Sequence, residues 1–131
     1  MPYPADYRYT KQHEWIHADG GGIAAVGITD FAQKQIGEVV FVGLPKVGDK
    51  FKAGQELASV ESVKAVFEVF APASGEIIEV NTALESAPEK VNADPHGEAW
   101  FAKLRLSNSE ELKELMDADA YEKYCPECEP R

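Results

Sequence analysis

A chain of 131 residues and 14.4 kDa, 44% hydrophobic and 27% charged, is long enough for one domain with a genuine core and too short for two independent catalytic domains. Its 23 acidic against 13 basic side chains give a formal charge of −10, which repels nucleic acids and anionic membranes and favours partners with basic faces. No apolar run approaches the roughly 18 residues of a spanning helix, and Met1 to Tyr7 resembles neither a secretory signal nor a transit peptide, so a cytoplasmic protein is expected, or a mitochondrial-matrix one if the chain is a processed product.

From Tyr7 to Leu106, turn residues recur too closely for long helices: Asp19 to Gly22, Gly27, Gly37, Gly43 to Pro45, Gly48-Asp49, Gly54, Pro72 to Gly75, and Asp94 to Gly97. The pattern predicts short strands. Thr29 to Ile36 suits two turns of helix, with Thr29 or Asp30 as cap and Gly37 as stop. Gln55 to Val60 and Val66 to Phe70 read as two strands of a hairpin, and Trp100 to Leu106 alternates, placing Trp100, Ala102, Leu104 and Leu106 on one face and Phe101, Lys103 and Arg105 on the other. Ser107-Asn108-Ser109-Glu110 has the form of a capping box, and Leu112, Leu115 and Met116 follow at helical spacing, predicting a helix broken near Asp117 to Asp119 before Ala120 to Tyr124.

Gly37-Glu38-Val39-Val40-Phe41-Val42 and Gly75-Glu76-Ile77-Ile78-Glu79-Val80 repeat one phrase on either side of Lys64. Two unrelated amphipathic strands would look the same. Read as a repeat, they predict an all-β fold with short helices: a quasi-twofold sandwich or flattened barrel with Lys64 on the hairpin joining its halves. The whole chain, 1–131, is then one domain, with a core over about 7–106, a helical segment over about 107–124 and a flexible tail over 125–131.

Most lysines in turns only aid solubility. Lys64 differs in its flanks, because Val63 and Ala65 stand where turns usually carry Gly, Asn, Asp or Pro. A Schiff-base lysine would need burial to lower its pKa, which a hairpin tip does not offer. An outward amine on a rigid hairpin suits attachment of a prosthetic group. His13, His17 and His96 are too few and too poorly matched to suggest a metal centre, and Ser62 lacks the setting of a nucleophile, so it is expected to bond within the turn. Cys125-Pro126-Glu127-Cys128 reads as a redox couple, half a zinc site or two idle thiols, and its spacing does not choose among them.

Glu61-Ser62-Val63-Lys64-Ala65, with His13-Glu14-Trp15, Gly27-Ile28-Thr29-Asp30, Gly37 to Val42, Leu44-Pro45-x-Val47-Gly48, Ala71-Pro72-x-x-Gly75-Glu76 and Val91-Asn92-x-Asp94-Pro95, resembles the H-protein family of the glycine cleavage system from about Tyr9 to Tyr121. Biotin carriers, which share the fold, place methionines beside the modified lysine, and lipoyl domains of 2-oxoacid dehydrogenases show Asp-Lys-Ala. Val63 and Ala65 set this chain apart from the first, and Val63 from the second.

The resemblance implies a barrel-sandwich carrier fold and lipoic acid amide-linked to Lys64, with Glu61, Ser62, Val63 and Ala65 as the recognition flank. It further implies a non-catalytic shuttle, expected to be monomeric. A pyridoxal-phosphate-dependent glycine decarboxylase would load its aminomethyl group, a folate-dependent aminomethyltransferase unload it, and dihydrolipoamide dehydrogenase reoxidise the arm, after a lipoyl-attaching enzyme has installed it. The carried amine is cationic and labile, so a cleft with a carboxylate would protect it. Glu14 is the candidate, with Asp30, Ser59 and Glu61 as neighbours, against the plainer reading of a solvated strand glutamate. Two other functions remain open: an H-like lipoyl relay or sulfur-pathway carrier, and a small thiol oxidoreductase working through Cys125 and Cys128.

Overall fold

The computed structural model describes residues 7–18, 22–107 and 109–124. Cys125, Cys128 and the expected tail lie outside them, as does Asn108 of the predicted capping box. In chain order the elements are β1 (Arg8–Tyr9), β2 (Glu14–Ala18), β3 (Ile23–Ile28), α1 (Asp30–Ile36), β4 (Val39–Gly43), β5 (Lys50–Phe51), β6 (Glu56–Ser62), β7 (Val66–Phe70), β8 (Gly75–Val80), α2 (Ala83–Ser86), α3 (Lys90–Ala93), β9 (Ala102–Leu106), a 3₁₀ segment (Ser109–Glu114) and α4 (Ala118–Tyr124). The strands form two antiparallel sheets, one ordered β1-β2-β3-β9-β8-β5 and the other β4-β6-β7. The two copies of the repeated phrase therefore contribute β4 to one sheet and β8 to the other, as a sandwich requires.

One cluster of buried side chains, including Ile28, Ile36, Val42, Val60, Leu84, Val91 and Phe101, lies under α1 and the three-stranded sheet. A second, with Ile16, Val26, Leu57, Ile77 and Leu104, lines the larger sheet. α1 forms as its sequence predicts. Thr29 caps it, with its side chain accepting from Ala32 N, and Gly37 ends it at φ 86°.

Two expectations change. The strand predicted from Trp100 starts at Ala102, and Phe101, expected beside Lys103 and Arg105, is wholly buried because its ring packs into the first cluster; its main-chain N–H goes to Val26 O at 2.7 Å and its oxygen accepts from Asn81 N at 3.0 Å. The segment after Ser107 is 3₁₀ rather than α-helical. Three residues per turn place Leu112 and Leu115 on one face, where both pack against the second cluster. Met116 then leaves the helix to exchange main-chain hydrogen bonds with Tyr9 at 2.8 and 3.0 Å. No helix among the described residues is long and apolar enough to cross a membrane.

Candidate functional site

The β6–β7 hairpin is closed by a side chain rather than by glycine. Ser62 Oγ accepts from Lys64 N at 3.1 Å and Ala65 N at 3.2 Å and donates to Ala65 O at 3.3 Å, while Ser62 N reaches Ala65 O at 2.9 Å. A hydroxyl that satisfies the turn's amides lets non-turn residues occupy it. Ser62 thus bonds within the turn, as its sequence setting suggests. Val63 N also donates to Glu38 O at 3.1 Å, tying the tip to the segment ahead of β4. Val63 is 67% exposed and Lys64 and Ala65 are exposed beside it. The Lys64 amine donates to Gln35 O, at the end of α1, at 2.8 Å.

Register arranges the outer face behind this tip. Phe41, Glu61 and Val66 form one row across β4, β6 and β7, and Gly43, Ser59 and Glu68 form the next. Phe41 and Val66 are 50% and 60% exposed, far more than large apolar side chains usually are. Ser59 stands where a Cβ on Gly43 would lie only 2.6 Å from its Oγ, so the missing side chain makes room for it. Phe41, Val66 and Glu68 share the face behind the lysine, and sequence reading did not single them out. The alternation of Val66, Glu68 and Phe70 was the available signal for β7; nothing local marks Phe41.

The far end of β7, at Phe70, lies about 13 Å from Val66 at roughly 3.3 Å per residue, and there it meets Glu14 of β2. Glu14 is buried, only 2% exposed. Thr10 Oγ1 donates to its Oε1 at 2.8 Å, and Phe70 N donates to its Oε2 at 2.9 Å. Burial pushes the Glu14 pKa up, while the bonds from Phe70 and Thr10 oppose that rise. Glu14 borders an open cleft of about 480 Å³ together with Thr10, Gln12, Phe70 and Pro72. The surface glutamate of the plainer reading is thus a buried carboxylate on a cavity wall.

The other cleft candidates do not join it. Neither Ser59, Glu61 nor Asp30 borders this cleft. Ser59 and Glu61 belong to the outer face near the lysine. Asp30 opens α1, accepting from Gln33 Nε2 at 2.9 Å and pairing with Lys34 at 3.0 Å, while its main-chain N–H donates to His96 Nε2 at 3.0 Å. No group of three or more metal-ligating side chains occurs among the described residues.

A β-sandwich that carries an exposed lysine on the tip of a rigid hairpin defines a swinging-arm carrier of the barrel-sandwich type. Comparison with known proteins makes the class specific. The family model described as glycine cleavage H-protein matches residues 7–128. Glycine cleavage system H proteins of Symbiobacterium thermophilum and Koribacter versatilis are each 54% identical to the chain; the first alignment covers 95% of this chain and 96% of the relative, the second 97% of both. The crystal structure of a glycine cleavage system H protein from Mycobacterium marinum superposes with a TM-score of 0.84 at 40% identity, covering 92% of this chain and 97% of that one. The chain belongs to the glycine cleavage H-protein family, the lipoyl carriers of the glycine cleavage system.

Proposed function

We propose that Lys64 carries the lipoyl group as an amide and that the chain is a non-catalytic shuttle between glycine decarboxylase, the folate-dependent aminomethyltransferase and dihydrolipoamide dehydrogenase. When attached, lipoate supplies the disulfide that accepts the aminomethyl unit of glycine and the dithiol that is later reoxidised. The observation that carries this reading is the exposed Lys64 on a turn fixed by Ser62. The residues present fit an attached arm: the amine is open to a modifying enzyme, and Phe41 and Val66 offer apolar surface behind it. Glu61, between Phe41 and Val66 in their row, and Glu68 in the next row add negative charge to that face, which suits enzymes with basic docking faces.

The chain's further contribution is shelter. Glu14 is poised to receive the ammonium end of the carried group, because its carboxylate lines a cleft and is held in place by Thr10 and Phe70. Intact-mass measurement of protein from its own host tests the attachment: a lipoyl mass on Lys64 is expected, and its absence would remove the reading. Reconstituted glycine decarboxylation then tests the system, with Lys64→Arg expected to abolish it.

A further inference from the structure

The unmodified lysine has a built resting place. In a continuing helix the Gln35 carbonyl would accept from the N–H four residues on, that of Val39. That N–H instead goes to Asn92 Oδ1 at 2.9 Å, because Gly37, at φ 86°, has turned the chain out of the helix. Asn92 completes the arrangement by donating to Gly37 O at 2.8 Å and to Gln33 Oε1 at 2.9 Å. Gln35 O is left for Lys64. The lysine stem reaches it by passing over Gly37, with Cε lying 3.5 Å from where a Cβ would be.

We propose that the C-terminal turn of α1, held by Asn92, is a seat for the Lys64 ammonium, and that amide formation at Lys64 vacates it. A cation is favoured at a helix C-terminus by the partial negative charge of its last carbonyls. A charge-assisted hydrogen bond is also about twice as strong as a neutral one. An amide nitrogen keeps a single N–H and no charge, so it loses both advantages. The modification that makes the side chain useful is then also what frees it to swing, and the attaching enzyme meets the amine at a fixed place. This inference deepens the carrier reading and takes its biological sense from it, yet the seat belongs to the unmodified chain and is tested there.

Side-chain NMR relaxation of the full chain reads the seat directly, on the picosecond to nanosecond timescale. In the unmodified protein the Cε order parameter of Lys64 is expected to exceed that of the exposed Lys46 by about 1.4-fold or more, the ratio of an ordered to a flexible group. With Nε-acetyllysine incorporated at position 64, a neutral amide without cofactor, the value should fall to that of Lys46. Asn92→Ala should lower it without acylation. Equal mobility of Lys64 and Lys46 in the unmodified protein would overturn the proposal, as would undiminished order after acetylation. A folded Asn92→Ala protein with Lys64 still ordered would remove Asn92 from it. Should Asn92→Ala not fold, the acetyl comparison decides alone. Failure of the carrier reading would appear instead as a missing lipoyl mass, leaving these values unchanged.

Discussion

At Glu14, burial and hydrogen bonding pull in opposite directions, and burial is the larger effect, so its folded pKa lies above the ordinary 4.5. Between 4.5 and the raised value the native state binds more protons than the unfolded chain, so stability falls as pH rises through that window. Urea titrations across it should show this slope in the native sequence and lose it in Glu14→Gln. If Glu14 shelters the carried amine, Glu14→Ala should speed hydrolysis of the loaded carrier about tenfold, the equivalent of one charge-assisted hydrogen bond of about 1.5 kcal/mol. An unchanged rate would remove Glu14 from that role. Histidine works the other way. Burial lowers the pKa of His96, with Asp30 and Asp94 opposing, and burial lowers that of His13. Their unfolded forms take protons first, so stability is lost as pH falls below 6.5 towards the lowered folded values. His96→Gln should flatten that part of the unfolding profile, although it also disturbs the bond from Asp30 N.

Among the elements, the exit of α1 depends on one backbone angle. Gly37 combines φ 86° with ψ −155°, a region that only glycine occupies readily. Gly37→Ala should cost about 1–3 kcal/mol in chemical denaturation, and the cost is conformational, because the new Cβ would meet only an ordinary contact with Lys64. Gly27 illustrates the opposite case. It faces Trp15 across β2 and β3, and a Cβ there would sit 2.6 Å from the indole, whose Nε1 donates to Pro95 O at 2.8 Å. Gly27→Ala should therefore destabilise by about 1–3 kcal/mol through overpacking, with a shift in Trp15 fluorescence as its signature. Both glycines were visible as punctuation in the sequence. Only the fold separates the one needed for its backbone angle from the one needed for its emptiness.

At the scale of the whole molecule, α4 is fastened to β1, more than a hundred residues earlier in the chain. Tyr121 of α4 is fully buried and stacks on Tyr9 with ring centroids 4.9 Å apart. Its hydroxyl lies 2.7 Å from His13 Nδ1 and 2.9 Å from Thr29 Oγ1, which ties α4 to the residues flanking Glu14 and to the cap of α1. Tyr121→Ala should cost about 3–5 kcal/mol, as truncation of a buried aromatic does, and thermal unfolding would read it; a loss under 1 kcal/mol would show that α4 is dispensable. Which residues α4 docks on was not legible without coordinates, since a tyrosine's partner 112 residues away leaves no local mark. Propensity, turn chemistry and alternation act over a few neighbours, so the strand-rich class, α1 with its cap and stop, the hairpin and its lysine were legible in the residues alone. Packing of distant segments was needed to bury Glu14 on a cleft, to set Ser59 and Asp30 apart from it, to bring Phe41 and Val66 to either side of Glu61 behind the tip, and to bring the amine to Gln35. Those facts depend on register and on contacts between distant segments, which form when the sheets pack and have no signature in any short stretch of chain.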